Sequence, residues 1–292
     1  MASLAASNVA AAAKYKNPVA VFVGGTSGIG QGMAESLNCQ TKGNAHIVLV
    51  GRNKDAAEAI ISKMRAANEG PSTGSYEFVH CDVSSLPNIK PAAATIVSKH
   101  PKIDFLILTA GYASPAKEKT ADGLDKAMVM HCWSRWLFIH ELLPSLRAAK
   151  EAGEDVKVLS VYAAGLVGWG RPPAIANDLM TEEYAIRNPG IVFAHATPGS
   201  VNTNILKSSD SLVSRALSYV MPFLSVTQDE CAENLWGGLY RTTASTGSGD
   251  IPGAHRMGRK GQDVGMIAYG GSPEKRKKAW EEAVKVTDTT EN

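Results

Sequence analysis

The stretch Val19–Gly30, VAVFVGGTSGIG, constrains the fold more than any other part of this chain. Val19, Ala20, Val21, Phe22 and Val23 form a short, unbroken apolar run, the pattern of a strand buried on both faces of a parallel sheet. The run passes straight into Gly24, Gly28 and Gly30 and then into a helical pattern, IGQGMAESL. Glycine is suited to these places because the turn is tight and a phosphate must approach bare backbone. The new helix directs its unpaired N–H groups and positive dipole end at that phosphate. The glycines, with Thr26, Ser27 and Ile29 between them, therefore form a candidate phosphate cradle.

The remaining chain repeats the same alternation of apolar runs and helix-like segments. HIVLV (46–50), Tyr76–Cys81, FLILT (105–109), VKVLSV (156–161) and IVFAHA (191–196) read as five further strands. Helices are expected over about 55–68, 123–149, 174–188, 228–242 and 273–284, the last with a solvated, charged face. This rhythm predicts an α/β fold, a Rossmann-like doubly wound parallel sheet in a single domain. Residues 1–17 form an N-terminal extension, and residues 204–292 a substrate-loop and C-terminal helical region ending in a Gly-rich turn and the charged helix. The extension is Ala-rich and contains no Arg, so it reads as a short helix beside the first strand rather than a transit peptide.

Composition excludes several function classes. A net charge of +2 over 292 residues gives no basic footprint for nucleic acid, and no apolar run approaches a membrane span. Cys39, Cys81, Cys132 and Cys231 are scattered without a C-x-x-C pair. They read as buried thiols in a reducing compartment, here the cytoplasm, and no metal site is expected.

The spacing G-x-x-x-G-x-G resembles the glycine motif of the short-chain dehydrogenase/reductase family. Four more landmarks follow in family order. Arg52 and Asn53 stand after the second strand, and Asp82 and Val83 after the third. Ala110 and Gly111 stand after the fourth, and Pro198, Gly199, Val201 and Thr203 after the sixth. In such sheets ligands bind beyond the carboxyl ends of the strands. The resemblance implies that these residues hold a nicotinamide dinucleotide, with Asp82 at the adenine and the Pro-Gly-x-Val-x-Thr run at the nicotinamide. An enzyme selecting NAD commonly places an acid after the second strand. Arg52 stands there instead and would pair with a 2′-phosphate, so NADP is the expected cofactor.

The family's catalytic Asn, Ser, Tyr and Lys are not intact. None of Tyr15, Tyr76, Tyr112, Tyr162, Tyr184, Tyr219, Tyr240 and Tyr269 is followed four residues on by Lys. His131 aligns with the family's Asn and Tyr162 with its Ser, while Ser160 lies two residues earlier on the same strand face. Only 25 residues separate Gly165 from Ile191, too few for the family's usual catalytic helix but enough for one crossover helix. GGTSGIG, Ser134-Arg135 and NPGIVFAHATPG resemble a divergent fungal branch, frequent in secondary-metabolite clusters, whose members often lack the intact tetrad.

The candidate catalytic groups are then His131, Arg135, Ser160 and Tyr162, with Asp178 nearby and Trp169 a candidate pocket wall. Tyr162, without a Lys, reads as an unassisted phenol. The stretch Leu212–Val226 falls where the family carries a substrate-covering loop, and its apolar face suits a small hydrophobic substrate. The resemblance implies reduction or oxidation of a carbonyl, alcohol or imine. The missing Tyr/Lys pair keeps open a redox-neutral isomerase or cyclase, or a nucleotide-binding protein without catalysis. Family members commonly pair through the fourth and fifth helices, so a homodimer stays open despite the shortened fifth.

Overall fold

The computed structural model describes residues 2–68, 70–112, 117–164, 172–202 and 225–289. Seven parallel strands form one sheet: β1 (Val19–Val23), β2 (His46–Gly51), β3 (Ser75–His80), β4 (Phe105–Leu108), β5 (Lys157–Val161), β6 (Val192–Ala196) and β7 (Ala254–Met257). Their order is β3-β2-β1-β4-β5-β6-β7, so the chain reverses its direction of growth between β1 and β4. Such a switch point opens a crevice at the carboxyl ends of the strands. The doubly wound α/β fold expected from the sequence is the fold observed.

Because side chains alternate across a strand, β1 feeds two cores. Val21 and Val23 join Leu106, Leu108 and Val158 under α4 (Ile89–Lys99), α6 (Ser134–Glu151) and α7 (Pro172–Arg187). Ala20 and Phe22 join Phe105 and Ile107 on the opposite face, under α2 (Gly28–Gln40), α3 (Lys54–Ala66) and α8 (Gln228–Arg241). A last helix, α9 (Pro273–Thr287), adds Trp280 and Ala283 to the first core. Among the described residues, no helix is long and apolar enough to cross a membrane.

Four local expectations are corrected. The N-terminal helix α1 (Ala2–Ala12) packs on α8 and α2 rather than on the first strand. Its buried Asn8 donates to both the carbonyl and the carboxylate of Glu233, a polar anchor that a helix resting on β1 would lack. The helix expected from 123 starts instead at a single turn, α5 (Lys126–Met128), capped by the Asp125 carboxylate. It continues through a π-helical turn, Val129–Trp133, before α6. β7 emerges from the region read as Gly-rich turn; AHRM carries no apolar run, and β6 pairing with burial of Arg256 makes it a strand. Of the four free cysteines, Cys39 is exposed, because it falls on the outer side of α2.

A buried polar triad fixes the β6–β7 edge to α7. Arg256 on β7 grips both oxygens of Asp178 at 3.0 Å, and His195 Nδ1 on β6 lies 2.7 Å from Asp178 Oδ1. The amide of Ala163 donates to His195 Nε2, so the imidazole proton sits on Nδ1 and faces the carboxylate. Burial alone would raise Asp178, but His195 and Arg256 hold its carboxyl below its ordinary range.

Two predictions test these forces. Trp236 is fully buried, meets Phe105 edge-on at 5.1 Å and donates to the Met33 carbonyl. Trp236→Ala is expected to cost about 3–5 kcal/mol in urea unfolding, because the vacated volume cannot close completely. Asp104 is buried at the start of β4, accepts from the Val19 amide at 2.8 Å, and is pushed by burial up to about 6. The unfolded carboxyl titrates near 3.9, so the native state holds the extra proton between those values and this group's contribution is lost as pH rises through 6. Asp104→Asn, which keeps the acceptor, is therefore expected to gain stability relative to the wild type between about pH 4 and 6 and to level off above.

Candidate functional site

At the switch point the β1 turn lies against the end of β4. Gly24 has φ +91° and Gly28 φ +59°, conformations that favour glycine. A Cβ on Gly24 would stand 2.5 Å from the Ala110 amide nitrogen, and one on Gly30 would stand 2.5 Å from Thr109 Oγ1. This packing leaves a cleft of about 340 Å³ beyond the strand ends. Gly24, Thr26, Ser27, Gly28 and Ile29 line it from the β1 turn, Arg52 from β2, Asp82 and Val83 from β3, and Ala110 and Gly111 from β4. Ser27 caps α2 in an extended conformation without a side-chain bond to the helix. The first amides of α2 therefore have no partner in their own helix.

Val50, Gly51, Cys81, Thr109 and Met130 also line the cleft, and no motif marks them as such. Thr109 ends the apolar run FLILT of the fourth strand. Its hydroxyl bonds back to the carbonyls of Val23 and Gly24 and so fastens β4 to the glycine turn.

Arg52 projects from the β2 end with 71% of its side chain exposed, and its nearest carboxylate, Asp82, is 4.0 Å away. Burial tends to raise Asp82, but the Ser84 amide and hydroxyl, both donating to Oδ1, hold it below its usual value together with Arg52. Asp82 thus combines a loop-forming role with a place on the cleft wall. Asn53 does not line the cleft; its side chain caps α3 by accepting from the Ala56 amide at 3.0 Å.

Gly30 is packed behind the turn rather than on the cleft surface. Pro198, Gly199 and Val201 form a separate loop after β6, in which Val201 bridges to Val226. Thr203, Trp169 and 212–224 of the expected covering loop lie outside the described residues.

The four candidate catalytic groups converge beside Gly111, at the ends of β4 and β5. The π-helical turn carries His131, whose ring comes so near Gly111 that a Cβ there would meet Cε1 at 2.8 Å. His131 stacks on Tyr162 at 4.5 Å and 23°, and on Tyr112 at 5.5 Å and 7°. Its Nε2 lies 3.2 Å from the Tyr112 carbonyl.

Ser160 and Arg135 sit deeper. Arg135, 2% exposed, donates to Ser160 Oγ at 2.7 Å, to the Val161 carbonyl at 2.9 Å and to the Ala110 carbonyl at 2.8 Å. Burial pulls the guanidinium down to about 10, so it remains charged at neutral pH. Ser160 in turn donates to Asn177 Oδ1 at 2.6 Å. The Asn177 amide donates to the His131 and Pro173 carbonyls.

This arrangement divides the candidates. The Ser160 hydroxyl is occupied by Arg135 and Asn177 within the protein, which makes it a link between β5 and α7. Arg135 ties the ends of β4 and β5 together. His131 and Tyr162 form a stacked pair behind Gly111 of the cleft wall, while Asp178 belongs to the triad beneath β6 and β7. Asn177 was missed by the sequence reading; its one signal was a polar pair, Asn177-Asp178, inside an otherwise apolar helical stretch.

Comparison with known proteins agrees with this architecture. The chain is 34% identical over 209 residues to oxidoreductase andH of Emericella variicolor, covering 64% of this chain and 59% of the relative. It is 31% identical over 228 residues to oxidoreductase AN1596 of Emericella nidulans, covering 71% and 66% respectively. The chain thus spans about six-tenths of the length of these curated relatives. Among solved structures, an NADPH-bound carbonyl reductase from chicken fatty liver superposes with a TM-score of 0.63 at 18% identity, over 85% of this chain and 98% of that one. The family model described as short chain dehydrogenase matches residues 18–212, from the strand that opens the sheet to beyond its sixth. By that match, the chain belongs to the short chain dehydrogenase family.

Proposed function

We propose that the chain is an NADP(H)-dependent oxidoreductase acting on a carbonyl, alcohol or imine of a hydrophobic small molecule, in fungal secondary metabolism. The observation that carries the cofactor reading is Arg52. It stands at the end of β2, on the rim of the cleft, where an acid would hold the ribose hydroxyls of NAD. An exposed guanidinium with its nearest carboxylate 4.0 Å away can turn to a 2′-phosphate and pair with it in fork geometry. The oxidoreductase names of the fungal relatives and the NADPH of the carbonyl reductase support the same reading.

The residues present fit such a dinucleotide. The amides at the start of α2 would hold the diphosphate, and the bare backbone at Gly24 and Gly28 lets it come close. Asp82 and Val83 would take the adenine, and Ala110 and Gly111 would lie along the ribose toward the nicotinamide. Pro198, Gly199, Val201 and Thr203 would close on the nicotinamide side. A bound reduced nicotinamide supplies the hydride. His131 and Tyr162 then face the substrate, with Arg135 and Ser160 fixing the strand ends that carry them. An iminium carbon already bears charge, so its reduction asks for positioning and water exclusion rather than a strong general acid.

A redox-neutral or purely binding role is the second reading. It is favoured by the commitment of α7 to internal polar bonds where the family's Tyr and Lys would stand. Turnover of NADPH against a panel of ketones and imines separates the two. For the cofactor itself, titration calorimetry of Arg52→Ala is expected to show NADPH affinity lowered about 10- to 100-fold, the range of one charge-assisted pair. NADH affinity is expected to change less than about threefold, since NADH has no phosphate there. Equal losses for the two nucleotides would refute NADP selection by Arg52.

A further inference from the structure

Tyr162 lacks the lysine that assists a family phenol, yet it does not lack a cation. The Arg135 guanidinium carbon lies 5.8 Å from the Tyr162 ring centroid. We infer that the buried charge of Arg135 stabilises the phenolate of Tyr162 and so makes that side chain the proton donor of the site. This rests on the reduction proposed above, because it assigns the proton that a reduced carbonyl oxygen requires.

Three observations carry the inference. First, the charge of Arg135 is not cancelled where it lies. Its hydrogen bonds go to a hydroxyl and two carbonyls, Nε finds no partner, and no carboxylate pairs with it among the described residues. An uncompensated cation in a low-dielectric interior acts strongly on its neighbours. Arg256 gives the internal contrast, since Asp178 meets that buried guanidinium with both oxygens.

Second, the phenol is held in place. The Tyr162 amide donates to the Ala196 carbonyl at 2.7 Å, and the ring is stacked on His131. Arg135 bonds to Val161, the residue immediately before Tyr162, so cation and ring cannot drift apart without breaking the β5 end. Third, Tyr162 is half-buried and stacks on His131, whose ring packs against Gly111 of the cleft wall, whereas Ser160 is spent inside the protein.

Among the described residues, the other charged or titratable groups near Tyr162 are Tyr112, His131, Lys126 and His195. Lys126 stands 4.9 Å from the Tyr112 ring, one ring further out, and is paired with Glu118. His195 on β6 faces Asp178. His131, stacked on the phenol, adds positive charge only when protonated.

A bound reduced nicotinamide would supply the hydride to the carbonyl carbon and be left oxidised, with the carbonyl π pair passing to oxygen. The Tyr162 O–H bond breaks as its proton passes to that oxygen, completing the alcohol. The electron pair left on Tyr162 is the phenolate that Arg135 steadies, and solvent later returns the proton. Tyr162 is the catalytic residue, and Arg135 acts through it as a positioning residue.

The test is fluorine NMR titration of a fluorotyrosine in place of Tyr162, in the full chain without nucleotide. The resonance is expected to titrate at least about one pH unit below free fluorotyrosine, the effect of an opposite charge at this range. Arg135→Met is expected to raise that midpoint by about one to three units, and Arg135→Lys to return most of it. A merely structural Arg135 would leave the midpoint of the folded variant unmoved, and that result overturns the proposal. So does a wild-type midpoint at or above the free value, which decides the matter even if Arg135→Met fails to fold. The titration needs no dinucleotide, so it can fail while the Arg52 reading stands, and the reverse.

Discussion

The structure depends on the contact between the β1 turn and the end of β4, where two backbones meet with no side chain between them. Gly24 and Gly30 are packed so closely on Ala110 and Thr109 that a single methyl group would force them apart. That closeness seats α2 directly beyond the sheet and points its first amides into the space where the strand order reverses. The Thr109 hydroxyl strengthens the same seam by bonding to the carbonyls of Val23 and Gly24. Among the described residues, the 340 Å³ cleft is therefore a consequence of bare backbone at one crossing.

Away from that seam, the energetics turn on two buried guanidinium groups handled in opposite ways. Arg256 is neutralised by a bidentate carboxylate, and with His195 it fixes the last two strands to α7. Removing either partner there would strand a buried charge, which makes the triad a lock on the fold. Arg135 bonds only to neutral oxygens, and its electrostatic cost stays in the structure. A cation left unneutralised beside the crevice, a few ångströms from a phenol and an imidazole, has a chemical use that the Arg256 pair does not.

What the sequence revealed follows from how local each signal is. VAVFV and the glycines after it specify strand, turn and helix within a dozen residues, and the structure places all three there. β7 was invisible because AHRM has no apolar periodicity; its strand character comes from β6 and from Asp178, 78 residues before Arg256. The π-helical turn is equally hidden, since HCW and its neighbours read as ordinary helix; the widened winding appears only in the folded backbone, where His131 also packs against Gly111. Asn53 was taken for a cleft residue because of its position after β2, whereas the nearer demand, an unpaired amide at the start of α3, claimed its side chain. Tyr162 reads as an unassisted phenol because no Lys follows it four residues on. The cation it meets is on α6, 27 residues earlier, and reaches it through the tertiary fold.

The polar bonding of α7 fits the proposal that the proton donor comes from a strand end. Consecutive residues on a helix point about 100° apart. Asn177 therefore reaches the π-helical turn and Ser160, while Asp178 reaches β6 and β7. Locked on two sides, α7 cannot rotate to offer another group to the crevice without leaving buried donors and acceptors unpaired. The end of β5 is held just as firmly, but Tyr162, the residue beyond Val161, is only half-buried and stacks on His131. A fold that spends its crossover helix on internal ties is the setting in which, under the proposal, β5 supplies the phenol and α6 the charge.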